Sequence, residues 1–304
     1  MKPTLFLRCK LARSIRRAIV LTVFVALVIP VAAQISAAST VAKKDRVQRP
    51  ESVRLYIFDC GRLKVDDPIR FNFKKEELAV LDLSVPCFLV FHPKGILVWD
   101  TGVIPDDAFK AGGEPATRLY AIAKKPLKLQ IVEAGFTPAD VTYLALSHAH
   151  WDHVANASAF ASATWLVRQV ERDALFADPP PPRTNSAMFE ALRSTKTILL
   201  KENDYDVFGD GTVIIKSTPG HTAGHQALFV KLARTGPVLL CGDLYHYPEE
   251  LKVKRVPAGD FDKEQTLASR VAIEAFLKET GAQLWIQHDL SAFDKLKKAP
   301  GYYD

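Results

Sequence analysis

SHAHWDHVAN, residues 147 to 156, places three histidines and an aspartate within six positions of a chain that has eight histidines in all. Crowding of that kind suits a metal site, because imidazole nitrogens and carboxylate oxygens are the ligands that divalent cations take. The apolar run before it, residues 141–146, reads as a short strand, so the cluster opens a loop at a strand end. On an extended segment residues two apart share a face. His148 and His150 can therefore address one cation, while Asp152 and His153, after a turn, address a second. Further ligands should then follow later strands. Thr218-Pro219-Gly220-His221, Cys241-Gly242-Asp243 and Ile286-Gln287-His288 each come directly after an apolar run.

The surrounding pattern alternates strands and helices. Residues 53–58 (VRLYIF) read as a strand, and 87–91 (CFLVF) with 95–99 (GILVW) as a hairpin about Pro93-Lys94-Gly95. Helical spacing runs over 127–134 up to Gly135, over 169–176, and over 261–280 up to Gly281. Strands are expected at 213–217, 227–232, 238–241 and 284–286, which makes the fold class α/β. The proline run at 178–182 reads as a rigid surface connection. Every unusual polar residue sits just after an apolar strand, where a rigid sheet can present side chains to a crevice.

The first 33 residues have the form of a secretory signal peptide. Six cations and no acid precede Ala18, an apolar run AIVLTVFVALVIPVAA follows, and small residues at 31–33 or 36–38 offer cleavage sites. The alternative is an uncleaved N-terminal anchor, against which stand Pro30 and a run short for a span of about 20 residues; after signal cleavage no stable membrane insertion is expected. The same six cations account for the whole net charge of +6, so the mature chain is near neutral and nucleic acid is not an expected partner. Residues 34–50 are polar and aperiodic, a linker. Of the four cysteines Cys9 leaves with the signal; Cys60, Cys87 and Cys241 have no metal or redox spacing, admit one disulfide plus a free thiol, and read mostly as small buried hydrophobes.

Taken in order, His148, His150, Asp152, His153, His221, Asp243 and His288 resemble the metallo-β-lactamase superfamily, and Trp99-Asp100-Thr101-Gly102 looks like its early Asp-Thr-Gly turn. The resemblance covers roughly residues 54 to 290 and implies an αββα sandwich at 51–304 that holds two zinc ions, other divalent metals being admitted. It places His148, His150 and His221 on the first metal, Asp152, His153 and His288 on the second, and Asp243 between them. A water between two such metals loses a proton near neutral pH and can attack a carbonyl that one of them polarises. Alone, His221 or His288 would read as a turn or core histidine, Asp243 as a helix cap and Asp100 as a turn residue; as a set they read as a site, with Asp100 in a supporting role.

Within the superfamily the chain looks most like the N-acyl homoserine lactonases, on LYIFDCGR (55–62), LSVPCFLV (83–90), TPGHTAGHQ (218–226) and QHD (287–289). His150 stands where electron-transfer relatives carry glutamate, and Asp243 argues against the β-lactamases proper. That resemblance implies opening of a lactone ring, with Asp152 passing a proton to the leaving alkoxide and a tyrosine holding the substrate. The tyrosine is usually three residues past the bridging aspartate, where this chain has His246; Tyr245 is slightly preferred for the role over His246, and Tyr247 completes the loop. Phe71, Phe73, Met188 and Phe189 fall in segments that surround the acyl chain, His225 is expected to hold a ligand through its ring nitrogen, and His92 to be structural. The alternatives are an organophosphate or aryl-ester hydrolase of the methyl parathion hydrolase kind, a β-lactamase, and a noncatalytic metal-binding module. The expected partner is a small-molecule lactone or ester, a homodimer is compatible with the sequence, and the expected location is the periplasm or outside the cell. Mass spectrometry of the exported chain should find its N-terminus just after Ala33 or Ala38; retention of Met1 would contradict the signal peptide.

Overall fold

The computed structural model describes residues 47–110 and 114–304. The signal peptide at 1–33 and the linker as far as residue 46 lie outside the described residues. The expected hairpin forms the centre of a large sheet whose strands are β1 (Arg54–Leu63), β2 (Leu83–His92), β3 (Gly95–Trp99), β4 (Ala116–Arg118), β5 (Ala121–Ala123), β6 (Tyr143–Ala145), β7 (Thr164–Val167) and β8 (Thr197–Leu199). They lie in the order β4-β5-β1-β2-β3-β6-β7-β8. A second sheet, β13-β12-β11-β10-β9, is built from β9 (Asp204–Asp206), β10 (Val213–Ser217), β11 (Gln226–Leu232), β12 (Gly236–Leu240) and β13 (Gln283–Trp285), while β14 (Tyr302–Tyr303) pairs with β1.

Alternation along the strands sorts side chains into layers. In the first sheet Leu55, Ile57, Phe88, Val90, Leu97 and Trp99 face the second sheet and meet Val213, Ile215, Leu228, Val230, Val238 and Leu240. Their neighbours Tyr56, Phe58, Val85, Leu89, Ile96 and Val98 point to the other side, where α1 (Leu127–Glu133) lays down Leu127 and Ile131. On the outer face of the second sheet Ala227, Phe229 and Leu239 pack with Ile273, Phe276 and Leu277. These last three belong to the long helix Lys263–Thr280. The result is the expected αββα sandwich. Full burial of each such side chain is worth about 1.5–3 kcal/mol relative to exposure, so the continuous apolar seam between the sheets dominates the cohesion of the fold.

The long helix starts two residues later than its apolar spacing suggests. Asp262 remains extended and its carboxylate accepts from the N–H groups of Glu264 and Gln265, which caps the helix and leaves Phe261 outside it, 68 % exposed. At the other end Gly281 takes φ 67°, as a left-handed C-cap requires.

The cysteines need a correction. Cys60 and Cys87, read as small hydrophobes, lie on the paired strands β1 and β2 and form a disulfide with Cα atoms 5.9 Å apart. Closing 27 residues of chain contributes about 3–4 kcal/mol in the chain-entropy model. Cys241 is free and fully buried, and burial pushes its thiol up to about 12. Nonreducing peptide mapping should therefore recover a Cys60–Cys87 cross-link, and iodoacetamide should label Cys241 only after denaturation; labelling of native Cys241 would contradict this packing.

Candidate metal centre

The ends of β6, β10, β12 and β13 open onto one rim of the sandwich. The loop after β6 carries His148 and His150, and the short helix α2 (Trp151–Val154) then turns Asp152 and His153 inward, so a helical turn does what a simple loop turn was expected to do. His221 follows β10, Asp243 follows β12 and His288 follows β13. The seven residues come together in two groups. Donor atoms of His148, His150, His221 and Asp243 lie within 4.8 Å of one another, and so do those of Asp152, His153 and His288. Asp243 stands between them: Oδ1 is 3.0 Å from the Nε2 atoms of both His153 and His288, and Oδ2 is 3.2 Å from His221 Nε2.

Whether these residues suit a metal follows from where their protons go. His288 Nδ1 lies 2.7 Å from the Ser84 carbonyl, which can only accept, so this nitrogen carries the hydrogen and Nε2 presents a lone pair. His221 Nδ1 sits 2.8 Å from a carboxylate oxygen of Asp260, and His153 Nδ1 lies 2.9 Å from Asp100 Oδ2, with the same consequence. Among the described residues the buried atoms His153 Nε2 and Asp243 Oδ1 make no regular hydrogen bond, although they stand 3.0 Å apart. His148 Nε2 and His221 Nε2 crowd His150 Nδ1 at 2.8 and 3.0 Å. Three ring nitrogens gathered this closely beside a carboxylate can direct their lone pairs at one cation. The donor set of imidazole and carboxylate is the one zinc takes.

Protonation reflects the same crowding. Burial, with the neighbouring imidazoles, holds His148 and His150 well below the usual histidine range, so they are neutral lone-pair donors. Burial alone would raise Asp243, but His288, His153 and His148 outweigh it and keep the carboxyl ionised. Conversely, burial opposes a charge on His153 and His221, yet Asp243 with Asp100 and Asp260 pulls both above the usual value, so a second proton takes Nε2 wherever no cation does.

A frame of buried polar groups fixes the ligands. Asp100 accepts from the Ser147 N–H, the Ser147 hydroxyl and the Gln287 amide as well as from His153. His225 Nδ1 donates to the Thr218 carbonyl and its Nε2 accepts the Asp243 N–H, so it holds that ligand through the backbone. Gly242, at φ 55°, admits this approach: a Cβ there would lie 2.6 Å from His225 Nε2. Asp260, Gln287 and Glu171 were missed in the sequence. Buried Glu171 accepts from the Ala149 and Gly224 N–H groups and the Thr222 hydroxyl, binding the His148–His150 loop to the His221 loop. The only written signal was Gly224, where a Cβ would sit 2.5 Å from that of Glu171.

The loop after Asp243 needs another correction. Tyr245 points away from the cluster: it is 1 % exposed in the core under the long helix, and its hydroxyl donates to Glu274. His246 faces the site instead, with Nε2 3.1 Å from Asp243 Oδ2 and its backbone N–H on Glu250. Tyr247 donates to the Leu81 carbonyl and packs on Phe73. Of the four proposed acyl-pocket residues, Phe71 alone lines the small pocket over the cluster, against the His246 ring; Phe73, Met188 and Phe189 are buried core. His92 stacks on Phe208 and pairs with Asp210, away from the metal ligands. The proline connection does more than connect, because Pro181 and Pro182 wall a cavity of about 320 Å³ beside His150 and His221.

Residues 80–280 match the metallo-beta-lactamase superfamily model. The chain is 31 % identical over 264 residues, 83 % of this chain and 99 % of the relative, to the N-acyl homoserine lactonase AttM of Azorhizobium caulinodans. It is 27 % identical to the N-acyl homoserine lactonase AiiA of Bacillus thuringiensis subsp. kurstaki, over 82 % of this chain and 98 % of the relative. Its fold is similar, with a TM-score of 0.68 and 25 % identity over 83 % of this chain and 99 % of the other, to an N-acyl homoserine lactone hydrolase with N-hexanoyl-L-homoserine bound at its catalytic metal center.

Stripping the protein with chelator and titrating zinc should load two ions per chain and raise the melting temperature, by about 2.7 kcal/mol of stability at a hundredfold excess over Kd. Asp243→Asn should reduce the stoichiometry below two, and unchanged loading in that variant would contradict a bridging role.

Proposed function

The chain belongs to the metallo-β-lactamase superfamily, and from that premise we propose that it is a periplasmic or secreted dizinc enzyme that opens the ring of N-acyl homoserine lactones. The coarser part of this reading, a metal-dependent hydrolase of a lactone ester, follows from the lactonase relatives together with the His/Asp clusters. The observation that carries the whole is the set of lone pairs converging around Asp243. Export is supported by the signal-like N-terminus and by a disulfide, which suits an oxidising compartment.

Zinc held by the two groups of ligands would supply an acidified water and a Lewis acid for the carbonyl. The chain's own groups do the rest. Asp152, whose side chain is 11 % exposed, reaches the small pocket that Asp243, His246 and His288 also line, where it can hold a proton and release it to the leaving alkoxide. His246 takes the place expected for a phenol and offers its ring nitrogen to the substrate oxygen. Leu63, Phe71, Leu83 and Trp151 line the same pocket and limit access of bulk water to the ester. The larger cavity beside His150, with Ala174, Pro181, Pro182 and Ala223 in its wall, suits the acyl arm.

Ring opening of N-hexanoyl-homoserine lactone, followed by proton release on metal-loaded protein, tests this. Asp152→Asn should lower kcat roughly 10²-fold or more, and His246→Ala roughly 10- to 100-fold. Tyr245→Phe should leave turnover unchanged and cost about 1 kcal/mol of stability through its lost bond to Glu274. Turnover of a phosphotriester or nitrocefin by protein that leaves lactones intact would overturn the reading.

A further inference from the structure

We infer that the mouth of the metal centre selects substrates carrying an anionic group, a carboxylate or a phosphate, beyond the ester that is cleaved. This deepens the lactone-hydrolase reading and rests on it for the identity of the bond broken.

The small pocket over the cluster has two permanent cations in its wall, Arg70 and Arg183. Both are exposed, and among the described residues neither pairs with a carboxylate. Elsewhere on the surface Arg62, Arg193, Arg234 and Arg255 each meet an acidic partner. Arg54 and Arg172 also lack a carboxylate among the described residues, but each lies singly over a ring elsewhere, whereas at the mouth two uncompensated guanidinium groups share one wall. Arg118 adds to it, lining an outer cleft with Arg183 and Trp151.

These side chains are held without being neutralised. Arg183 adopts φ 62°, a left-handed backbone that costs a non-glycine residue energy and persists only where its surroundings enforce it. Two bonds do so: its carbonyl accepts the Trp151 N–H at 2.9 Å, between the ligands His150 and Asp152, and its Nη2 donates to the Gly259 carbonyl at 2.7 Å. The remaining N–H groups of the fork stay available. Arg70 lies over the rings of Phe71 at 4.7 Å and Tyr120 at 5.4 Å, and Tyr120 in turn meets Trp151 edge-on. A planar fork set in advance on carbonyls and rings is suited to bidentate capture of carboxylate or phosphate, with less side-chain entropy to lose on binding. A neutral substrate gains nothing from this charge, and because Arg183 lines the larger cavity beside His150 as well, an arm lying there can bring an anionic end to the guanidinium.

The test compares, on metal-loaded protein, kcat/KM for N-hexanoyl-homoserine lactone with that for adipoyl-homoserine lactone, whose arm ends in a free carboxylate, and for a phosphate-terminated analogue. The anionic lactones should be favoured roughly tenfold, mostly through KM, and added salt should erode the preference. Arg70→Gln and Arg183→Gln should each lower the ratio, the double variant should bring it near one, and Arg183→Lys should keep part of it. The larger of the two anionic ratios identifies the anion. Calorimetry with the ring-opened adipoyl and hexanoyl forms reads the same preference without turnover. If neither lactone is opened but the diacid binds more tightly through the arginines, the lactonase reading fails and the selection stands. A ratio near one in the unaltered protein, or one the Gln variants do not move, overturns the selection and leaves the lactonase reading intact. Preferred turnover of bis(para-nitrophenyl) phosphate with the same arginine dependence also overturns it, because the anion would then be the reacting group itself.

Discussion

The buried carboxylate of Asp243 is the constraint around which the rest is arranged. It stays ionised in the interior because imidazoles surround it, yet three of those imidazoles have already given their hydrogens outward, to Ser84, Asp260 and Asp100. What remains inside is a set of ring nitrogens turned toward one carboxylate, each a place that either a proton or a cation can fill. The outward partners come from the first sheet and from the loop before the long helix. The sandwich therefore orients the ligands from outside, and the cation completes them from within.

The fold was largely legible because its central strands are buried on both faces and so write uninterrupted apolar runs, as in LSVPCFLVFH and GILVW. The ligands were legible for a related reason: each sits just past such a run, where a polar residue stands out. The pieces that were not legible lack that contrast. The hairpin of β4 and β5 and the short strands β7, β8 and β9 have three or four residues each and take their form from neighbours in the sheet, which local sequence does not record. Asp260 follows VPAG with no motif around it and becomes important only because the chain folds it back onto His221. Tyr245 and His246 could not be separated by counting, since a one-residue step decides which side chain enters the core and which the site. The apolar demand of the cluster around Phe229 and Ile273 took the tyrosine, and the charge of Asp243 took the histidine.

Around the centre the chain divides its labour by polarity. Proline and alanine dominate one side, guanidinium and aromatic groups frame the other with Arg183 common to both, and Trp151, on α2 between two ligands, donates its backbone N–H to the Arg183 carbonyl. Metal binding and mouth shape therefore share a backbone segment, the stretch from His150 to His153.

Glu171 also has a bearing on how the molecule is made. Its carboxylate ties a loop of the first sheet, at Ala149, to a loop of the second, at Gly224, and the ligands themselves run from His148 to His288. Few of these pairings are local in sequence, and contacts between distant segments form late, once the chain entropy of closing them has been overcome. Capture of metal is thus an event at the end of folding, when both sheets have docked. An ion cannot nucleate this fold as it nucleates a zinc finger; it locks a sandwich that the apolar seam has already assembled.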